Sequence, residues 1–219
     1  MYILAPNQTV EKFPYSIGDL RKDNPQTSFP KNPSVELLAS YNVFPVVSVG
    51  AQYDPLTQVA EPNGCTYNAD LNRWETAWTV QDKTATEIDA ARSTLWEQVK
   101  AERKRRTEGG VLVSGHWLQT DPDSRIQFLR LDQKAAAALA AGGQPTDMLT
   151  VVGQDIYWKT YDNGLVPMTI ALAQGIAAAI EVLDALAFAR GEQLRAQIEA
   201  STAPESIDIT SGWPPIYEA

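Results

Sequence analysis

The sequence predicts an α+β protein: a small proline-rich N-terminal region with short antiparallel strands, then a helix-rich domain with two short β-hairpins and a long C-terminal helix. Three observations carry this. Of 14 prolines, eight fall within residues 1–62, where they restrict φ and remove backbone donors, so long helices are disfavoured there. Residues 57–80 alternate strand formers with turn residues. From residue 84 onward, apolar side chains recur at helical spacing between glycine and Asn-Gly punctuation.

Taken in order, Ser16 and Asp19 cap a short helix that ends at Asn24-Pro25. Ser34 caps a second, Val35 to Ser40, with Leu37 and Leu38 facing whatever packs on it. Val43 to Val49 reads as an edge strand, because Pro45 cannot donate to a ladder. Pro62-Asn63-Gly64 reads as a turn between strands, and Trp74 and Trp78, an even number apart, share one face as the core of the small sheet. Thr84-Ala-Thr-Glu87 has the pattern of a capping box. Behind it, Ile88, Ala91, Leu95, Trp96 and Val99 form a helical stripe running to about Arg106, closed by Gly109-Gly110.

Val111 to Val113 and Trp117-Leu118 then flank a Ser114-Gly115 turn, and Asp121 opens a helix that reaches Ala141. Asn163-Gly164 marks a tight hairpin, since Asn-Gly supplies two positive-φ residues. Thr169 opens the last helix, which reaches Ala200 with Leu172, Ile176, Ile180, Leu183, Ala187, Leu194 and Ile198 on one stripe; Gly191 is its weak point. The expected division is 1–82 as an attachment region, 83–200 as the helix-rich domain, and 201–219 as an extended tail.

Composition narrows the chemistry. A chain of 219 residues buries roughly 70% of its unfolded surface, enough for a hydrophobic core. The formal charge of -9 argues against nucleic-acid binding, which needs cations for phosphates. One cysteine and one histidine exclude an intramolecular disulfide and a Cys/His zinc site. The opening residues are too short an apolar run for a signal peptide, and runs such as Ile176 to Ile180 are too short to span a bilayer, so synthesis in a reducing cytoplasm without membrane insertion is expected.

Candidate sites reduce to a few clusters. His116 lies near Asp121 and Asp123, but no serine elbow or cysteine signature accompanies it, so a turn histidine without catalytic duty is the expectation. Asp121-Pro-Asp123 is half of a calcium loop, and its carboxylates serve better as a helix cap. Lys100, Arg103, Lys104, Arg105 and Arg106 crowd one helix end, favourable against the helix dipole and a basic patch for an acidic partner. No catalytic, cofactor-binding or metal-ligating residues are assigned. Trp117, Trp158 and Trp213, with Arg103, Arg105 and Arg106, are the candidate partner-binding residues.

Residues Phe13 to Pro30, Leu37 to Val46, and Trp74-x-x-x-Trp78-Thr-Val80 resemble the opening of tailed-bacteriophage tail proteins. Residues 89–213 resemble an uncharacterised domain of phage tail and tail-fibre assembly proteins, through Gly109-Gly110-Val111, Gly115-His-Trp117, Trp158 before Asn163-Gly164, and Gly212-Trp213-Pro214. The resemblance implies a non-enzymatic binding and assembly protein that docks on a tail-fibre or baseplate component. Its implied setting is synthesis in the host bacterial cytoplasm and residence in the virion tail, with a homo-oligomer through the C-terminal helix as a further partner mode. A purely structural baseplate or tail-tip subunit is the alternative, and a tail-associated hydrolase a more distant one.

Overall fold

The computed structural model describes residues 1–218 and is α+β, as the sequence predicts. It divides into two compact units, Met1–Ala85 and Thr86–Ala219.

The first unit is built on one five-stranded sheet. Its strands are β1 (Tyr2–Leu4), β2 (Lys12–Tyr15), β3 (Val43–Val47), β4 (Gln58–Asn68) and β5 (Arg73–Asp82), in the order β2-β1-β3-β5-β4. All neighbours are antiparallel except β3 and β5, which pair in parallel. Two short helices, α1 (Ile17–Asp23) and α2 (Val35–Ser40), follow their sequence caps: Ser16 and Asp19 form a reciprocal box, and the Ser34 hydroxyl accepts from the Leu37 amide. Because strand side chains alternate, the sheet buries two faces. Tyr2, Leu4 and Val43 meet Leu20 and Leu38 of the helices, while Ile3, Phe44 and Val46 meet Trp74.

Three expectations fail here. β3 is an inner strand: its ladder to β5 starts only at Val46, past Pro45, so the missing donor costs nothing. Pro62-Asn63-Gly64 is a bulge inside the long strand β4, and the chain reverses instead at residues 69–72. Trp74 is buried as expected, but Trp78 is 37% exposed at the sheet's outer end, its indole donating to the Val49 carbonyl.

The second unit contains α3 (Ala85–Glu108), a hairpin β6 (Val111–Val113) and β7 (His116–Leu118), and α4 (Pro122–Ala140). Two small hairpins follow, β8 (Thr150–Val151) with β9 (Gln154–Asp155) and β10 (Tyr157–Lys159) with β11 (Leu165–Pro167), then α5 (Ile170–Ala200). Caps again set the starts. The Asp121 carboxylate accepts from the Asp123 and Ser124 amides, and Thr169 accepts from the Leu172 amide. Tight turns with two positive-φ residues fall at Ser114-Gly115, as expected, and at Val152-Gly153, in a hairpin the sequence did not announce. At Asn163-Gly164 only Asn163 has positive φ, and the Thr160 amide closes a wider loop on the Gly164 carbonyl.

α5 runs through two cores in succession. Its first half packs Ile170, Ala173, Ile176 and Leu183 against Phe128, Leu131 and Ala135 of α4 and against Leu118 and Met168. Its second half packs Ala187, Leu194 and Ile198 against Leu95 and Val99 of α3 and against Trp213. Each large side chain fully buried in this way stabilises the fold by about 1.5–3 kcal/mol. On α4 the core apolar side chains are Phe128, Leu131 and Ala135, while Ile126 and Leu129 are exposed.

The C-terminal segment is no free extended arm. Pro204–Ser206 forms a 3-10 turn, and residues 207–218, in no regular element, are strapped onto their own unit. Arg92 donates to the Ser201 carbonyl, Arg190 to that of Ser211, and Arg106 to that of Pro214, while the Tyr217 amide bonds the Gly109 carbonyl. Ile216 passes so close to Gly109 that an added Cβ would lie 2.5 Å from its side chain. Ala219, the last residue of the expected tail, lies outside the described residues.

Candidate functional site

An apolar groove of about 510 Å³ lies entirely within the second unit. α5 forms one wall through Ala178, Val182 and Leu186, the β6–β7 hairpin another through Leu112 and Trp117, and the C-terminal strap closes one end with Pro214 and Pro215. Among the described residues, no ionisable side chain lines it. Val182, Leu186 and Leu112 are each more than half exposed.

The groove exists because α5 carries two apolar faces. Successive residues on a helix turn by about 100°, so the buried stripe of Ile176, Leu183, Ala187 and Leu194 leaves Ala178, Val182 and Leu186 on a different side. The strap and hairpin approach from that side without covering it. Gly110 sets the hairpin's entry: its φ is +98°, and an added Cβ would lie 2.7 Å from the Tyr161 ring. Tyr161 in turn stacks on Tyr217 at 4.8 Å, and Trp117 meets Tyr217 edge-on.

This placement sorts the residues singled out in the sequence. Trp117 lines the groove and is half-buried. Trp158 is half-buried elsewhere, its ring tilted against Phe128 at 4.3 Å and its indole donating to Gln119. Trp213 is a core residue rather than a partner anchor: it is 9% exposed, and its indole donates to the Ile209 carbonyl at 2.7 Å. Arg105 and Arg106 both donate to the Glu102 carboxylate, Arg105 in a two-pronged bond. Those bonds, Arg105 foremost, hold the Glu102 carboxyl down at about 2. Arg103 stands apart from this network, on the α5 side of the helix.

His116 is half-buried in the β6–β7 hairpin. Asp121 does not orient it, because that carboxylate is committed to the cap of α4 and to the Ser124 hydroxyl at 2.6 Å. The carboxylate that senses His116 is Asp162, held below its ordinary range first by the Thr160 hydroxyl, then by the Gly164 amide, and least by His116. Among the described residues, no cluster of His, Cys, Asp or Glu is arranged to hold a metal ion.

Residues 90–211, more than half of the chain, match the family model of a domain of unknown function, DUF4376. The chain belongs to that family. The DUF4376 region takes in α3, α4, all three hairpins of the second unit and α5, so the groove is built mainly from family segments, with Pro214 and Pro215 lying just beyond the match. No curated protein and no solved structure matches the chain.

Sequence reasoning missed the groove because it counted only one stripe on the last helix. The signal was present in the off-stripe apolar residues Val182 and Leu186, both more than half exposed. The same surplus makes α5 long and apolar enough to cross a membrane by length and composition, contrary to the reading of its short apolar runs. About a third of its most apolar window is buried within the unit.

Proposed function

We propose that this chain is a phage tail-associated, non-enzymatic binding and assembly protein. It docks a tail-fibre or baseplate component in the groove along α5. The observation that carries this reading is the groove itself: contiguous exposed apolar surface is a usual mark of a protein contact. Leaving Val182 and Leu186 half in water forgoes roughly 1 kcal/mol each, which a covering partner would recover. Trp117 at the groove wall supplies an aromatic anchor of the kind that concentrates binding energy.

The phage setting rests on the resemblance of residues 13–30, 37–46, 74–80 and 89–213 to phage tail and tail-fibre assembly proteins. In this reading the protein is made in the host cytoplasm and stays with the virion tail. Membrane insertion is disfavoured, because it would withdraw from the two cores the eight α5 side chains packed there. Copurification with tail-fibre and baseplate proteins, and mass spectrometry of purified particles, test the assignment. Fixed stoichiometry in the particle with no separable partner complex would favour the purely structural subunit, and self-association through the same face would favour the homo-oligomer.

A further inference from the structure

The opposite flank of α5 holds a second concavity of about 400 Å³, formed with the end of α3 and lined by Lys100, Arg103, Lys104, Thr107, Asp184 and Phe188. Its charges are unequally committed. Lys100 pairs with Glu97, Lys104 stands 4.0 Å from Glu108, and Arg125 holds Asp184 through two bonds of 2.7 and 2.9 Å. Arg103 has none of this. Its guanidinium has no ion pair or hydrogen bond among the described residues, although the side chain is half-buried.

Its position is built rather than accidental. The Arg103 stem lies over Gly191 of α5, with Cδ 3.5 Å from where a Cβ would sit on that glycine. The guanidinium reaches the same spot, with Nη1 3.7 Å from that Cβ position, so the side chain rests on α5 where it lines the cleft. Beside it Phe188 is 59% exposed.

We propose that this cleft is a docking site distinct from the apolar groove, which takes an acidic protein segment. A partner carboxylate forms a two-pronged bond to Arg103, and a neighbouring apolar side chain seats on Phe188. Charge complementarity carries the choice. A guanidinium held without a counter-charge matches a carboxylate in geometry and gains from a charge-assisted pair. Nucleic acid is the poorer fit, because phosphate tracking needs many free cations on a surface. Here the neighbouring lysines already have carboxylate partners and the whole chain carries -9. The three arginines that look equivalent in sequence thus separate: Arg105 and Arg106 serve Glu102, and Arg103 serves the partner.

The test uses the full-length protein and fluorescence polarisation with a labelled peptide, Glu-Asp-Phe-Glu-Glu-Leu, its amide counterpart Gln-Asn-Phe-Gln-Gln-Leu, and a single-stranded oligonucleotide. The acidic peptide is expected to bind, more weakly as salt rises, and the other two are not. Arg103→Gln should weaken it at least about tenfold. Arg103→Lys should recover only part of that loss, since an ammonium keeps the charge without the fork. Arg105→Gln should leave binding within about twofold, and thermal melts confirm that each variant is folded. Equal binding of the amide peptide, tighter binding of the oligonucleotide, no binding of the acidic peptide at low salt, or an unaffected Arg103→Gln would each overturn the proposal.

Discussion

α3 and α5 belong to the same unit and share one core, yet their outer surfaces are built on different terms. α3 buries Leu95 and Val99 and covers its outside with charged residues three or four apart, among them Arg92–Asp89, Lys100–Glu97 and Arg105–Glu102. Such pairs contribute only a few tenths of a kcal/mol each, but they keep a helix soluble by itself. α5 buries nine residues and still presents Val182, Leu186 and Phe188 to solvent. The lesson is that burial by the chain's own core leaves none of α3's large apolar side chains exposed, but leaves three of those of α5 exposed. What remains on α5 is the surface a partner would cover.

The largest expected effect would break this contrast if it failed. Ile176→Ala, on the buried side of α5, should destabilise the protein by about 2–5 kcal/mol in urea unfolding, because it leaves a cavity among α4 and the hairpins. Val182→Ala on the open side should cost under about 0.5 kcal/mol. Comparable losses at the two positions would mean that the groove is closed by the chain itself.

A smaller effect sharpens the contact between the helices. Gly191 is buried in α5, and an added methyl would meet Arg103 at an ordinary 3.5 Å. Gly191→Ala should therefore raise stability by about 0.5–1 kcal/mol, measured as a higher melting temperature. A loss would show that α3 and α5 approach too closely there for a methyl group.

The smallest effect concerns the charge network of α3. Glu102 has its carboxyl lowered from 4.5 to about 2 by Arg105 and then Arg106. A depressed folded-state value means that the contribution is fully present above pH about 4.5 and is lost as pH falls toward 2. Solvent screening keeps it below about 1 kcal/mol. The stability difference between the wild type and Glu102→Gln should thus be constant near neutral pH and shrink between those two values. A difference that does not change with pH would remove the ionic account.

Much of this architecture could be read from local chemistry. Caps at Ser16, Ser34, Asp121 and Thr169 and the Ser114-Gly115 turn mark their elements because a capping or turn residue acts on its immediate neighbours. What stayed hidden depends on distant partners. β1 is three residues long, and only its pairing with β3, some forty residues on, makes Ile3 a core side chain. The inner position of β3 and the bulge at Pro62 to Gly64 likewise follow from pairing rather than propensity. The site was half legible: the basic cluster and Trp117 stood out, but which arginine was free depended on Glu102, and Trp213 became core only through the return of the C-terminal strap.

The central claim is that the open apolar face of α5 is a docking surface. Its most direct test is the dissociation constant between the full-length protein and a tail-fibre or baseplate protein that copurifies with it, measured for the wild type and for Val182→Asp with Leu186→Asp. The account predicts that the charged pair weakens binding at least about tenfold, with a melting temperature within a few degrees of wild type. Unchanged affinity in the folded variant would contradict it.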